Sequence, residues 1–559
     1  MPRYHQKEPA MIRRLTLPLL LLAGLLTFTL ATHAAAPPAI APAAPQTGGQ
    51  WASTYGGTLD DVANDIWQTG DGGLAVAGTT SSFGVSGSDA WVYKVNTAGT
   101  VTWSETFGGV IDEYANALQQ TGDGGLAVVG TSGSFGVGIH DYWVIRLHAD
   151  GSLMWQTTYG GTQHNHAFAI QETADLGFII VGETTSFGAG NRDAWVVRLD
   201  SGGNVLWQTV YGQSGWDIAR GVAQTTDGGF VFVGYTSSFG AGNWDVWAVK
   251  LDANGVVQWQ KTFGGAGDDL GWAVKATDDG GVTLAGETSS FSGNADFWVM
   301  KLAANGSVNW QKRYGGAGAD VARALARTGD GGYLVAGETA SFGGGGKDFW
   351  LLKLTQAGDV VWQRGYGGAG DEIAFSVREL SDGVGIAGSS TSFGAGMGDA
   401  WLLKLDAQGL MSDCALITTT NAMTVNTTVG GVNSSALVQN TAASVGPSSA
   451  VLTPRAVGQA TQCSAPGPCQ LDLTASYNGA QLALTYDIYT GPTAVTWQNY
   501  ARVQGNWISL WSASLPAGIV YQNTISFNFP QVGNVPIYTR LTTPNGPVCT
   551  DVAVVNTGP

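Results

Sequence analysis

The run Asp193-Ala194-Trp195, Leu199-Asp200, Gly203, Trp207, Tyr211-Gly212, Asp217-Ile218-Ala219, Asp227-Gly228-Gly229 and Ser238-Phe239-Gly240 is one copy of a pattern. It occurs seven times in the 559-residue chain, at a spacing of 51 or 52 residues. The first Trp of the pattern falls at 91, 143, 195, 247, 298, 350 and 401, and the second at 51, 103, 155, 207, 259, 310 and 362. These two registers use fourteen of the 21 Trp, which makes the repeat the organising feature of the chain. A long fixed period marks units that bury their faces against their neighbours.

Within one period the punctuation allows four short strands, here named a to d. Strand a is the stretch like 219–224, b is 230–234, c is 245–251 and d is 256–262. The a–b turn (Thr-Asp-Gly-Gly) and the c–d turn (Asp-x-Asn-Gly) have the Asp, Asn and Gly that tight hairpins require, and type I′ geometry is expected for them. Four antiparallel strands repeated seven times predict an all-β, seven-bladed β-propeller. A solenoid is the competing array, but its usual β-repeats are much shorter. The array opens with a strand d at Trp51 and ends with a strand c at Trp401–Leu405. Strand counts therefore balance only if the N-terminal strand completes the last blade, which would also remove an exposed sheet edge. An eighth copy would need Trp where the chain has Asp413.

The motif Asp-Ala-Trp-Val-x-Lys-Leu-Asp-x-x-Gly-x-x-x-Trp-x-x-x-Tyr-Gly-Gly-x-x-Asp-Asp-x-Ala resembles the bacterial secreted β-propeller repeat family, often called SBBP, over residues 51–409. The resemblance implies a seven-bladed fold and an extracellular setting, and no particular chemistry. The Leu-Asp-x-x-Gly-x-x-x-Trp segment is also similar to the tryptophan-docking repeats of quinoprotein dehydrogenases. That likeness implies that Trp103 to Trp362 pack between blades. Those enzymes carry adjacent Cys beside the quinone, and this propeller has no Cys, which argues against quinone binding.

The flanking segments read separately. Residues 1–36 are expected to be a secretory signal peptide, with Arg13-Arg14 before an apolar run from Leu15 to Ala31 and then Ala34-Ala35-Ala36. An uncleaved anchor is the alternative reading of that run. Residues 37–49 read as a Pro/Ala linker, 50–409 as the propeller, 410–466 as a Ser/Thr-rich connecting segment and 467–559 as a small Ig-like β-sandwich. Cys414, Cys463, Cys469 and Cys549 all lie beyond the propeller, and in a secreted chain an even count predicts two disulfides. Three pairings are open; Cys414–Cys463 with Cys469–Cys549 would bracket the two C-terminal segments. Loss of residues 1–36 removes Arg3, Lys7, Arg13, Arg14 and Glu8, taking the formal charge from −17 to −20. So acidic a chain is not expected to bind nucleic acid or anionic lipid, nor to enter a membrane once the signal is cleaved. A monomer is expected.

Motifs that carry chemistry are mostly absent from the sequence. There is no Gly-x-Ser-x-Gly elbow, His-Glu-x-x-His helix or EF-hand loop. Gly383-Val-Gly-Ile-Ala-Gly388 matches the dinucleotide fingerprint but sits in a turn and strand b with no helix after it. Two acids recur: the Asp before each strand c (89, 141, 193, 245, 296, 348, 399), and the acid opening each strand a (Asp61, Glu113, Asp217, Asp269, Asp320, Glu372, with Asn165 in the third copy). Sevenfold recurrence favours a bracing role, in which the carboxylate accepts loop N–H groups. A ring of calcium ions is the alternative; no other cofactor is expected.

Function is sought where one copy departs from the others. The d–a and b–c loops emerge on one propeller face and are mostly Gly, Ala, Ser and Thr. The bulky exceptions are His140, His164, His166, Arg192, Trp216, Trp244 and Trp272, all from adjacent copies. Aromatic faces flanked by hydrogen-bonding groups suit carbohydrate or peptide recognition. His164 and His166 have no third ligand near them in the sequence, so no metal is assigned. Asn64, Asn116, Phe168, Arg220, Trp272, Arg323 and Phe375, each three residues after the opening position, are placed to line the central channel and include no obvious general base. The expectation is a secreted, non-enzymatic binding or scaffold module for a carbohydrate or protein partner. An extracellular polysaccharide lyase or hydrolase with its site at the channel is the alternative.

Overall fold

The computed structural model describes residues 49–411 in full, and the backbone of the strands that lie between residues 417 and 556. Seven antiparallel sheets each contain a strand a, b, c and d in that order, giving a seven-bladed β-propeller with strand a innermost. In the fourth blade these are Asp217–Gln224, Phe230–Thr236, Asp245–Leu251 and Val257–Phe263. Strand a thus begins at its opening acid, two residues before the apolar pattern suggests. Strand c is buried along its whole length, since each blade is sandwiched between two others, and its Trp247 is fully enclosed. This explains why strand c reads as a nearly continuous apolar run.

The a–b turn differs from the expected type I′. Gly228 has a φ of +81°, while Thr226 and Asp227 keep negative φ. The Gly228 N–H donates to the Thr225 carbonyl at 2.9 Å, and the Thr225 N–H to the Gly229 carbonyl at 2.9 Å. This is a type I turn closed by a left-handed glycine. Asp227 braces it, accepting from Thr225 Oγ1 at 2.6 Å and the Gly229 N–H at 3.0 Å. The buried Lys250 amine ties the turn to strand c, reaching Asp227 at 2.9 Å and Thr225 Oγ1 at 2.8 Å.

Blades are latched to one another by strand d. Trp207 lies against Gly255 in the c–d turn of the next blade, where any added Cβ would sit about 3.0 Å from the indole ring. Its Nε1 donates to the Ala253 carbonyl at 3.1 Å, and Tyr211 donates to the Gly255 carbonyl at 2.6 Å. Trp103, Trp155, Trp259, Trp310 and Trp362 meet the equivalent glycines, the packing that the docking-repeat resemblance implies.

The ring closes as strand counting requires: Trp51–Gly56 pairs antiparallel with Asp399–Leu405, Trp51 opposite Lys404 and Tyr55 opposite Ala400. A further feature is not written in the repeat. Short strands between residues 417 and 464 add a fifth strand outside every strand d. Ile417–Thr419 pairs with the sixth blade, Met423–Asn426 with the fifth, Val432–Asn433 with the fourth and Leu437–Asn440 with the third. Ser444–Pro447, Val451–Pro454 and Gly458–Ser464 follow on the second, first and seventh. The segment therefore passes once round the propeller against the direction of winding. Trp51–Gly56 is consequently an inner strand, not the outer edge of its blade.

The strands between residues 470 and 556 form a three-stranded and a four-stranded antiparallel sheet. Their side chains, residues 1–48, Cys414 and Cys469 lie outside the described residues. So do the expected signal peptide, the sandwich packing and the disulfide pairing.

Candidate functional site

Strand a sets the lining of the channel through a β-bulge. In the fourth blade Ala219 pairs with Gly234 and Gly221 with Val233, so Arg220 is the extra, unpaired residue. The same skip falls on Asn64, Asn116, Phe168, Trp272, Arg323 and Phe375. A bulge aims its extra side chain out of the ladder. Here all seven point to the axis and line a cavity of about 340 Å³ at the channel mouth. The bulge also explains the glycine in strand b: a Cβ on Gly234 would stand 1.8 Å from the Ile218 carbonyl oxygen.

Each opening acid holds the loop before it. Asp217 accepts from the Gln213 N–H at 2.8 Å and from Ser238 Oγ at 2.7 Å, and Thr236 donates to its other oxygen. Asp269 and Asp320 repeat this arrangement. In the third blade Asn165 replaces the acid and donates to Asp141 at 3.2 Å, while Thr184 donates to its amide oxygen at 2.6 Å. A neutral amide can therefore fill the bracing position, which a calcium ring would not tolerate as readily.

The bulky departures form one continuous surface on the face carrying the d–a and b–c loops. Two bridges join neighbouring blades there, His140 to His164 and Arg192 to Trp216. The Arg192 guanidinium lies 4.5 Å from the Trp216 ring centre and pairs with the buried Glu183. Trp216 meets Trp244 edge-on at 6.0 Å, Trp244 meets Tyr235 at 5.3 Å, and Tyr235 meets Trp272 at 5.8 Å. Trp216 is the exposed member, and Trp244 and Trp272 are half-buried. From the other side His166 stacks toward Phe168 at 6.5 Å, and Arg220 lies 3.8 Å from the Phe168 ring.

Arg220 is the centre of this surface. It is 4.9 Å from the Trp272 ring and donates to the Tyr235 hydroxyl at 2.8 Å. Among the described residues no carboxylate pairs with it, and its Nε has no hydrogen-bond partner. Arg323, by contrast, is neutralised by a two-pronged contact with Glu338 at 2.8 and 3.1 Å. Deeper in the channel, burial and then the charge of Arg378 pull the Lys275 amine down to about 7, with Asp65 partly opposing. Burial pushes Glu183 and Glu287 above the usual carboxylate range.

The three histidines converge as well. His140 Nδ1 and His164 Nδ1 are 2.8 Å apart, and the ligand nitrogens of His140, His164 and His166 all lie within 4.8 Å of one another. Spacing alone left His164 and His166 without a third partner; the neighbouring blade supplies His140. Burial, followed by repulsion from His140, Arg192, His164 and Arg220, pulls His166 down to about 4, so its ring is neutral at neutral pH.

All seven rim candidates thus fall in one sector. Tyr235 joins them from inside strand b, outside the loops; Thr79, Thr131, Glu183, Glu287, Glu338 and Ser389 hold its position in other blades and mark it as a bulky departure of the same kind.

No family model matches the chain, and no curated protein matches it. Among solved structures, it is similar to the extracellular domain of a hybrid two-component system from B. thetaiotaomicron, with 12% identity and a TM-score of 0.35. The match covers 89% of this chain and 55% of the other, so the chain spans about half the length of that structure. Among the described residues no helix is long and apolar enough to cross a membrane.

Proposed function

We propose that the protein is a secreted, non-enzymatic binding module that takes an acidic carbohydrate on the propeller face bearing Arg220. The observation that carries this reading is the Arg220 guanidinium, which bonds the Tyr235 hydroxyl but no carboxylate among the described residues, held between the Phe168 and Trp272 rings at the mouth of the channel. Such an arrangement offers a carboxylate-bearing sugar ring a fixed fork of donors and flat apolar walls. The exposed Trp216 and its neighbour Trp244 extend the same surface outward, where further sugar units would stack. The N-terminal apolar run after Arg13-Arg14 supports an extracellular setting.

The test is binding to an array of neutral and uronic-acid glycans. Arg220→Ala should abolish the preference for acidic over neutral glycans. Trp216→Ala with Trp244→Ala should weaken binding roughly tenfold or more, since each stacked contact contributes about 0.5–1.5 kcal/mol beyond area burial. Affinity that ignores both changes, or a protein ligand that alone binds the face, would overturn the carbohydrate reading. Lys275 gives the enzymatic alternative one concrete support, because an amine near 7 could abstract the proton beside a uronate carboxylate. Release of unsaturated oligosaccharides, lost in Lys275→Ala, would establish a lyase in place of a binder.

A further inference from the structure

We propose that His140, His164 and His166 form a divalent transition-metal site, of the zinc class, with three imidazole ligands and one open coordination position facing the rim. Half of the chain's six His meet at this one point. His140 ends the b–c loop of the second blade; His164 and His166 flank the first residue of strand a in the third. In other blades the position of His164 is usually Asp (60, 112, 268, 371), and that of His166 is apolar or aromatic (Val62, Tyr114, Ile218, Leu270, Val321, Ile373). The third blade alone also has an amide, Asn165, for the opening acid between them. Three consecutive positions have therefore changed together, and His140 has joined them across a blade boundary.

The backbone under the cluster is held firmly. The Asn165 N–H donates to the His140 carbonyl at 2.9 Å and its side-chain amide to the same oxygen at 3.0 Å, while the Thr185 N–H donates to the His164 carbonyl at 2.8 Å. The 2.8 Å contact between His140 and His164 requires one Nδ1 to carry a proton and the other to offer its lone pair. A metal ion would replace that shared proton. On a tetrahedral zinc with Zn–N of about 2.0–2.1 Å, ligand nitrogens stand roughly 3.3 Å apart, so small side-chain rotations complete the site. Three imidazoles favour zinc, copper or nickel over calcium or magnesium, which prefer oxygen.

The experiment uses the full secreted chain, prepared without a polyhistidine tag and stripped with a chelator. Titration with zinc chloride, followed by calorimetry, should show one equivalent bound, and cobalt chloride should give the visible absorption of a low-coordinate nitrogen site. Calcium chloride should give neither signal. His140→Ala, and His164→Ala with His166→Ala, should each weaken zinc binding by at least about 100-fold, beyond the 10–100-fold typical of losing an outer-shell partner. His148→Ala, on an exposed turn away from the cluster, should leave it unchanged. Thermal unfolding reads the same site independently: zinc should raise the midpoint of the parent and of His148→Ala, and of neither cluster variant. No stoichiometric zinc binding, or equal binding by the cluster variants, would overturn the site. Glycan binding is measured separately through Arg220, so either proposal can fail while the other stands.

Discussion

Leu176 is the one described non-glycine residue with positive φ, at +66°. It occupies the left-handed position of an a–b turn where Gly72, Gly124, Gly228, Gly280 and Gly331 stand in other blades. A branched side chain there costs about 1–2 kcal/mol, because its Cβ crowds the following carbonyl. The side chain is 59% exposed and recovers little of this through burial. Leu176→Gly should therefore raise the stability of the protein by about 1 kcal/mol, the relief of strain exceeding glycine's extra backbone entropy. Urea unfolding checks this, and a lower midpoint with unchanged slope would refute it. Residue-scale substitutions of this kind were plain in the sequence; their meaning was not. Leu176 and Tyr235 are both single departures from the repeat, yet one strains a turn and the other joins the aromatic cluster with Trp244 and Trp272.

Strand d carries the contacts that hold one blade to the next. Tyr55, Tyr159, Tyr211, Tyr314 and Tyr366 each donate to a glycine carbonyl in the next blade's c–d turn at 2.6 Å. Phe107 and Phe263 hold the same strand position and lack the hydroxyl. Tyr211→Phe should cost about 1–2 kcal/mol, since a buried carbonyl loses its donor. Phe263→Tyr should contribute about 1 kcal/mol by completing the equivalent bond to Gly306. Chemical denaturation of both variants measures the pair. Destabilisation by Phe263→Tyr would mean that the pocket beside Gly306 is too tight for the oxygen. The strands themselves were legible from turn residues and apolar alternation. The bulge in strand a was not, because an extra residue leaves no mark in composition and is recognised only from which residues pair.

At the scale of the whole molecule, closure rests on Trp51–Gly56, which lies between Asp399–Leu405 and Gly458–Ser464. Deleting residues 37–57 would open the ring, leaving Gly458–Ser464 without a partner and one edge of Asp399–Leu405 unpaired. The thermal midpoint should fall by on the order of 5 °C or more, as loss of several kcal/mol does in a domain of a few hundred residues. A truncated protein as stable as the parent would show that the clasp contributes nothing. The outer strands between residues 417 and 464 cover the edges that strand d would otherwise expose. Nothing in their Ser- and Thr-rich sequence announces this role. Strands this short gain register from the edge they meet more than from any pattern of their own.

The repeat alone determined the number of blades, the order of strands within each and the clasp between the two ends. Those follow from local punctuation and a fixed period, which survive being read one residue at a time. It also singled out bulky residues that the structure gathers in one sector of the rim, because such residues in a small-residue loop stand out without a structure. Only the tertiary structure decided that His140 completes a cluster with His164 and His166, that among the described residues no carboxylate bonds Arg220 while Glu338 bonds Arg323, and that seven bulges face the axis. The last two depend on which residues of strands a and b pair within a blade, and the first on what lies across a blade boundary. Side chains about 24 or 52 residues apart in the chain become neighbours only when the ring brings one blade's loop beside the next blade's inner strand.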